Sequence, residues 1–429
     1  MDVSRFPLAY MSFCWPIRAL DRAKPVKNLH HIPAKVTVKS PLQQSVGAFS
    51  GFQSGHPRIL SVPGGSEMDL IPKLGKLFFV SQQSKPNQAV EVIETDNNAV
   101  SCKDGFDAVS SGTKSQPDHL VIMVNGIIGS ATDWGYAAKQ FVKRLPDKVV
   151  VHCSECNSST LTFDGVDRMG ERLAEEVVAV TKRWPEVSKI SFVAHSLGGL
   201  VARYAIGKLY ENCPVNRIAG LQPVNFITVA TPHLGSRGHK QLPLLCGVPF
   251  LERSASQTAH WIAGRSGKHL FLTDNDDGDL PLLLQMVNDT KDIKFISALG
   301  SFKRRVAYAN ANYDHMVGWE TSSIRRQHEL PDSNLLLENE KYPHIVYVEQ
   351  DLQKPSEPVQ MKTPSSVSPE NFEEEMIRGL TQKPWERVDV SFQNSTQRYV
   401  AHSTIQVKTY WLNSDGADVV LHMIDNFIV

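Results

Sequence analysis

The chain has 429 residues, with 45 Lys or Arg balanced by 45 Asp or Glu, so its formal net charge at pH 7 is zero. That balance argues against a nucleic-acid partner, whose phosphates call for an excess of cations. No run approaches the roughly 18 apolar residues that span a bilayer, so membrane contact, if any, is peripheral. Six cysteines (Cys14, Cys102, Cys153, Cys156, Cys213 and Cys246) are too scattered for a disulfide framework, and a reducing compartment is the default.

Residues 1–66 differ from the rest. Arg5, Arg18, Arg22, Lys24, Lys27, Lys35, Lys39 and Arg58 are opposed only by Asp2 and Asp21, and no hydrophobic period persists. A basic, acidic-poor, Ser-containing stretch fits an organellar transit peptide, plastid ahead of mitochondrion, or a plain disordered tail. Residues 67–117 read as leading strands, at 76–81 and 89–94, followed by a Gly/Ser/Asp linker over 104–117.

From residue 118 apolar strands alternate with amphipathic helices. His119–Val124 is a near-continuous apolar strand, as expected of a sheet buried on both faces. A helix over 133–145, a strand at 149–152 and a helix over 167–183 follow. The second helix carries a stripe of Met169, Leu173, Val177, Val178 and Val180. Ile190–His195 and Asn225–Thr231 are further strands. The alternation predicts an α/β fold with a mostly parallel, doubly wound sheet over 118–429. Residues 240–290 interrupt it with apolar clusters at 242–251, 261–262, 270–272 and 280–284. They read as a lid-like insertion over an acyl pocket, or as helices packed on the core. Asp274, Asp276, Asp277 and Asp279 form a solvated loop without EF-hand spacing. Strands at 306–310 and 388–392, a polar surface loop over 351–370 and a closing helix over 417–427 complete the chain.

The chemistry centres on Ala194-His195-Ser196-Leu197-Gly198-Gly199, between an apolar strand and an apolar helix. This is the G-x-S-x-G nucleophile elbow with Ala194 in the first position. So tight a turn points the serine hydroxyl out of the sheet and needs small residues two before and two after it, here Ala194 and Gly198. In such folds the acid and the histidine follow the serine in that order. Asp314 lies just past a late strand, and His402 lies past the last strand and before the final helix. His422 falls inside that helix, His315 adjoins the acid, and His195 is expected to point elsewhere. Oxyanion donors are expected at the N–H of Leu197 and, from the loop Asn125-Gly126-Ile127-Ile128-Gly129, at Ile127. Read as a phosphate cradle, the same loop lacks the following Lys-Ser/Thr. Cys153-Ser-Glu-Cys156 has no second ligand pair for zinc. No metal or cofactor is expected.

Leu120–Tyr204 resembles the serine esterase, or lipase-like, family of α/β-hydrolases, formerly a domain of unknown function, in a plant-like version. The matching pieces are Val124-Asn-Gly-Ile127, Ala131-Thr-Asp-Trp134, Thr162-Phe-Asp-Gly-Val-Asp167, Ala194–Gly199 and Thr231-Pro-His-Leu-Gly235. Tyr313-Asp-His-Met-Val-Gly-Trp319, Thr321-Ser-Ser-Ile-Arg325 and Trp385-Glu-Arg-Val-Asp-Val390 are similar too. The resemblance covers about 118–429 and implies a triad of Ser196, Asp314 and His402. It implies a lipid ester, acylglycerol or lysophospholipid, as substrate. Relatives usually carry His where this chain has Asn125, so the oxyanion loop departs from the family pattern there. Acyl transfer to an alcohol, or a ligand-binding module on the same fold, are the alternatives.

Overall fold

A computed structural model describes residues 100–103, 107–110, 116–212, 214–236, 264–275, 279–350 and 371–429. The expected strands at 76–81 and 89–94, the N-terminal segment and the 351–370 loop lie outside these residues. So does all of the apolar stretch 240–263.

Strands β1 (Val100–Lys103), β2 (Asp107–Ser110), β3 (His119–Val124), β4 (Val149–Cys153), β5 (Lys189–His195), β8 (Gln222–Val229), β9 (Arg304–Asn310), β10 (Ile345–Gln350) and β11 (Glu386–Val390) form one sheet. Its order is β1-β2-β4-β3-β5-β8-β9-β11-β10. Two short strands, β6 (Tyr210–Glu211) and β7 (Arg217–Ile218), form a separate hairpin. From β4 to β11 every pairing in the main sheet is parallel, while β1, β2 and β10 are antiparallel. The chain runs outward from β3 to β4, crosses back to β5, and then proceeds the other way. The strand order therefore reverses between β3 and β5, and a crevice opens there at their carboxyl ends. This is the α/β-hydrolase fold.

The alternation within each strand divides the core. Leu120, Ile122, Val124, Ile190, Phe192 and Ala194 face one layer, containing helices α2 (Val166–Arg183) and α3 (Leu197–Leu209). Val121, Met123, Val193, Ile227 and Val229 face the other, containing α1 (Gly135–Arg144) and the closing helix Ala417–Asp425. Met169, Leu173, Val177 and Val180 form the buried stripe of α2, but Val178 is exposed. At about 100° per residue it follows Val177 off the apolar face.

Three further expectations are corrected. The linker over 104–117 contains β2, a four-residue strand paired between β1 and β4 and too short to show a period. Strand β10 was missed because its Val348 is exposed on an edge, leaving no clean alternation. Within the expected insertion, Leu283, Leu284, Met286 and Val287 are buried in the core, so this part packs as core helix and turn. Asp274 accepts the Leu282 N–H at 2.8 Å instead of standing in a free loop. Burial pushes the Cys156 thiol up, which leaves it inert.

Charge replaces apolar packing where β2 joins the sheet. Buried His152 on β4 lies between Asp107, to which it is hydrogen-bonded, and Glu176 of α2 at 3.2 Å. Arg183 and Trp184 also donate to Asp107, each at 3.0 Å. Burial alone would lower the His152 pKa, but its two carboxylate partners push it up to about 9. The folded value exceeds the ordinary 6.5, so this contribution is complete below about pH 6.5 and is lost as the pH rises through about 9. The thermal midpoint, followed by circular dichroism, should fall by several degrees across that window. His152→Gln should flatten the fall; an unchanged slope would show that the ion cluster contributes nothing.

Candidate active site

The elbow occupies the reversal point of the sheet. Ser196 ends β5 and precedes α3 with φ 54° and ψ −130°, a conformation that costs a non-glycine residue about 1–3 kcal/mol. Tight packing imposes it. A Cβ on Gly198 would lie 2.4 Å from the Asn125 carbonyl oxygen and 2.7 Å from that of Val124. One on Gly199 would overlap the side chain of Thr231. Ala194 is fully buried opposite Val124 and Thr228, where a methyl group is accommodated.

Three distant segments meet at the serine. His402 Nε2 lies 3.0 Å from Ser196 Oγ, and His402 Nδ1 lies 3.0 Å from Asp314 Oδ2. A carboxylate can only accept, so Nδ1 carries the hydrogen and the Nε2 lone pair faces the serine hydroxyl. Asp314 is itself held firmly. Its Oδ1 accepts the N–H groups of Met316 and Val317, and its Oδ2 accepts Asn310 Nδ2 at 2.8 Å. Burial would raise the Asp314 pKa, but the electrostatic pull of the adjacent His402 and these hydrogen bonds outweigh it and hold the carboxyl below its ordinary range. The group stays anionic at neutral pH. Beyond it, helix Trp319–Ser323 is anchored by Trp319 Nε1, which donates to Asp389 on β11 at 2.6 Å, and by the buried Arg325–Asp389 pair at 2.9 Å.

The loop after β3 supplies the opposite wall. Gly126 lies so near Ser196 that a Cβ there would be 2.8 Å from Ser196 Cβ. Asn125 Nδ2 donates to the Gly126 carbonyl at 3.1 Å and to that of Asn157 at 2.9 Å, and Gly129 N also donates to the Gly126 carbonyl. Because the peptide unit is planar and trans, fixing that carbonyl turns the Ile127 N–H the opposite way. Ile128, in a left-handed conformation, is tied through its N–H to Thr162 Oγ1 at 2.9 Å. Among the described residues neither the Ile127 nor the Leu197 N–H has a hydrogen-bond acceptor. Leu197 begins α3, where unpaired N–H groups and the helix dipole favour negative charge.

The rival histidines fall out differently. His315 is exposed, and His422 is buried against Tyr308 Oη at 2.9 Å. His195 does not simply point away, because its Nε2 reaches the His402 carbonyl at 2.7 Å. Sequence reasoning also missed Asn310, Asn157 and Thr162, polar residues with no motif spacing, whose use depends on which loops meet.

The fold and site define the chain as an α/β-hydrolase with a serine at its elbow. Residues 114–324 match the family model described as "Putative serine esterase (DUF676)". Two curated relatives are "Putative lipase C4A8.10" of Schizosaccharomyces pombe, 30% identical over 224 residues, and "Putative lipase ROG1" of Saccharomyces cerevisiae, 31% identical over 216 residues. The matches cover 50% and 49% of this chain but only 27% and 29% of those proteins. Among solved structures, Aspergillus fumigatus lipase B aligns with a TM-score of 0.32 at 14% identity, over 59% of this chain and 53% of its own.

Gly198→Ala should force the Asn125 carbonyl and the elbow apart, costing about 1–3 kcal/mol of stability. Gly126→Ala should slow covalent labelling of Ser196 by a fluorophosphonate by about 100-fold, the scale of losing one oxyanion donor. Labelling kinetics and thermal unfolding check both; a wild-type labelling rate in Gly126→Ala would remove that loop from the site.

Proposed function

We propose that this chain is a serine carboxylester hydrolase acting on lipid esters through an acyl-enzyme on Ser196. The observation that carries the reading is the hydrogen-bonded line Ser196 Oγ–His402–Asp314, facing two unpaired backbone N–H groups. His402 accepts the Ser196 proton as Oγ attacks the ester carbonyl. The carbonyl oxygen gains negative charge and is received by the N–H groups of Leu197 and Ile127. Anionic Asp314 stabilises the imidazolium and holds its orientation. His402 then gives its proton to the leaving alcohol, which leaves the acyl group on Ser196 Oγ; it next takes a proton from water as the water oxygen attacks the acyl carbon, and returns that proton to Ser196 Oγ as the acid departs. No metal or cofactor takes part in this sequence.

The lipid part of the reading rests on the surroundings. Ile128, Leu161, Met316, Tyr399, Val400 and Trp411 are all exposed. They lie in the loops and short helical segments that follow β3, β4, β9 and β11, whose carboxyl ends share the sheet edge at which Ser196 sits. Such a collection of large apolar side chains suits an acylglycerol or lysophospholipid held at a lipid surface, with peripheral contact to that surface. No described helix is long and apolar enough to cross a membrane.

The test is labelling with a fluorophosphonate in the presence and absence of detergent micelles, with the modified peptide mapped, followed by a panel of lipid and short-chain esters. Label on Ser196 that is lost in Ser196→Ala, with long-chain esters turned over faster than short ones, is the expected result. Absence of label on folded protein in both conditions would favour a ligand-binding module. Product analysis with an added alcohol separates hydrolysis from acyl transfer, since a transferase would return a new ester.

A further inference from the structure

His195 is committed to a structural task by its neighbours. It is 5% exposed. Its Nε2 lies 2.7 Å from the main-chain carbonyl oxygen of His402, and the two rings are 4.6 Å apart at 50°. On its other side, Nδ1 lies 3.2 Å from the position a Cβ on Gly126 would take. One side chain therefore touches the base residue and the oxyanion loop, and is bonded in sequence to the nucleophile.

The acceptor fixes the ring's state. A carbonyl oxygen has no hydrogen to give, so His195 Nε2 must donate. Burial holds the His195 pKa well below its ordinary value, with the neighbouring His402 acting in the same direction. The ring is thus neutral, and it adds no positive charge beside the imidazole that must become cationic.

The need for such a bond follows from where His402 is carried. Its helix, Ala401–Thr404, is a single turn preceded by the short 3₁₀ segment Arg398–Val400. A one-turn helix does not hold its own geometry. The Asp314 contact orients the imidazole at Nδ1, and the contact with Ser196 is the one that must change during reaction. The His195 bond instead ties the main chain of the base residue to the end of β5, next to the nucleophile. We propose that His195 is a positioning residue: by donating Nε2–H to the His402 carbonyl, it holds the base within reach of Ser196 Oγ.

This inference rests on the reading of Ser196, His402 and Asp314 as the reacting line, and its test separates the two. His195→Phe keeps a buried ring but removes the donor. His195→Gln places an N–H near the position of the lost Nε2. With the ester hydrolysed fastest by wild type, kcat should fall by ~10- to 100-fold in His195→Phe with KM little changed, and the fluorophosphonate labelling rate should fall in parallel. His195→Gln should recover most of both. Independently of turnover, the Nδ1 proton of His402 shared with Asp314, followed by NMR of ¹⁵N-histidine-labelled Ser196→Ala protein, should shift or broaden when His195→Phe is added and return with His195→Gln. Wild-type kcat in His195→Phe would overturn the proposal. So would equal losses in the Phe and Gln variants with unchanged thermal midpoints, because the donor would then be irrelevant. If His195→Phe does not fold, His195→Asn, whose amide is too short to reach the carbonyl, takes its place against His195→Gln. A wild type that resists labelling while the His402 proton still responds to His195 would sink the catalytic reading and leave the positioning bond standing.

Discussion

The structure depends on the close approach of two backbones at the carboxyl ends of β3 and β5. The α3 backbone at Gly198 is so near the Asn125 carbonyl that one methyl group would close the gap. Because the strands are in register from His119↔Lys189 to Val124↔Ala194, the chain leaving β3 and the chain leaving β5 emerge side by side. The loop after β3 then becomes a wall for Ser196, and the first N–H of α3 faces the same space. The strain at Ser196 is the cost of that approach, and the buried apolar faces of β5 and α3 hold it in place.

The polar half of the site is assembled by different physics. Asp314 and His402 follow β9 and β11, the parallel strands beyond β8 in the sheet. Their side chains are placed by hydrogen bonds. Asp314 receives three donors besides His402, and its loop is fastened to β11 through Asp389. A buried carboxylate with this many donors keeps its charge, which is what a base turning cationic needs beside it. The His152 cluster at the other side of the sheet works by the same rule, with an imidazolium enclosed by two carboxylates.

Asn125 braces the loop after β3 through its amide. Its amide donates to the Gly126 and Asn157 carbonyls and so orients the peptide that carries the Ile127 N–H. Its Oδ1 has no hydrogen-bond partner among the described residues. A donor at this position is all that loop geometry demands.

The sequence by itself determined the elements whose signal is local and strong. The apolar run of β3, the small residues around Ser196 and the striped face of α2 each follow from backbone sterics or from burial on a fixed period. The order Ser, Asp, His narrowed the candidates for the proposed reacting line to three. The short strands β2 and β10 were not legible: four residues are too few to show a period in β2, and the exposed Val348 breaks the alternation of β10. Nor were Asn310, Thr162 and the inward turn of His195, since a lone polar residue reads the same in a loop or in a site. Only the tertiary structure decided their partners, because a hydrogen bond between segments as far apart as His195 and His402 depends on how the sheet brings its loops together.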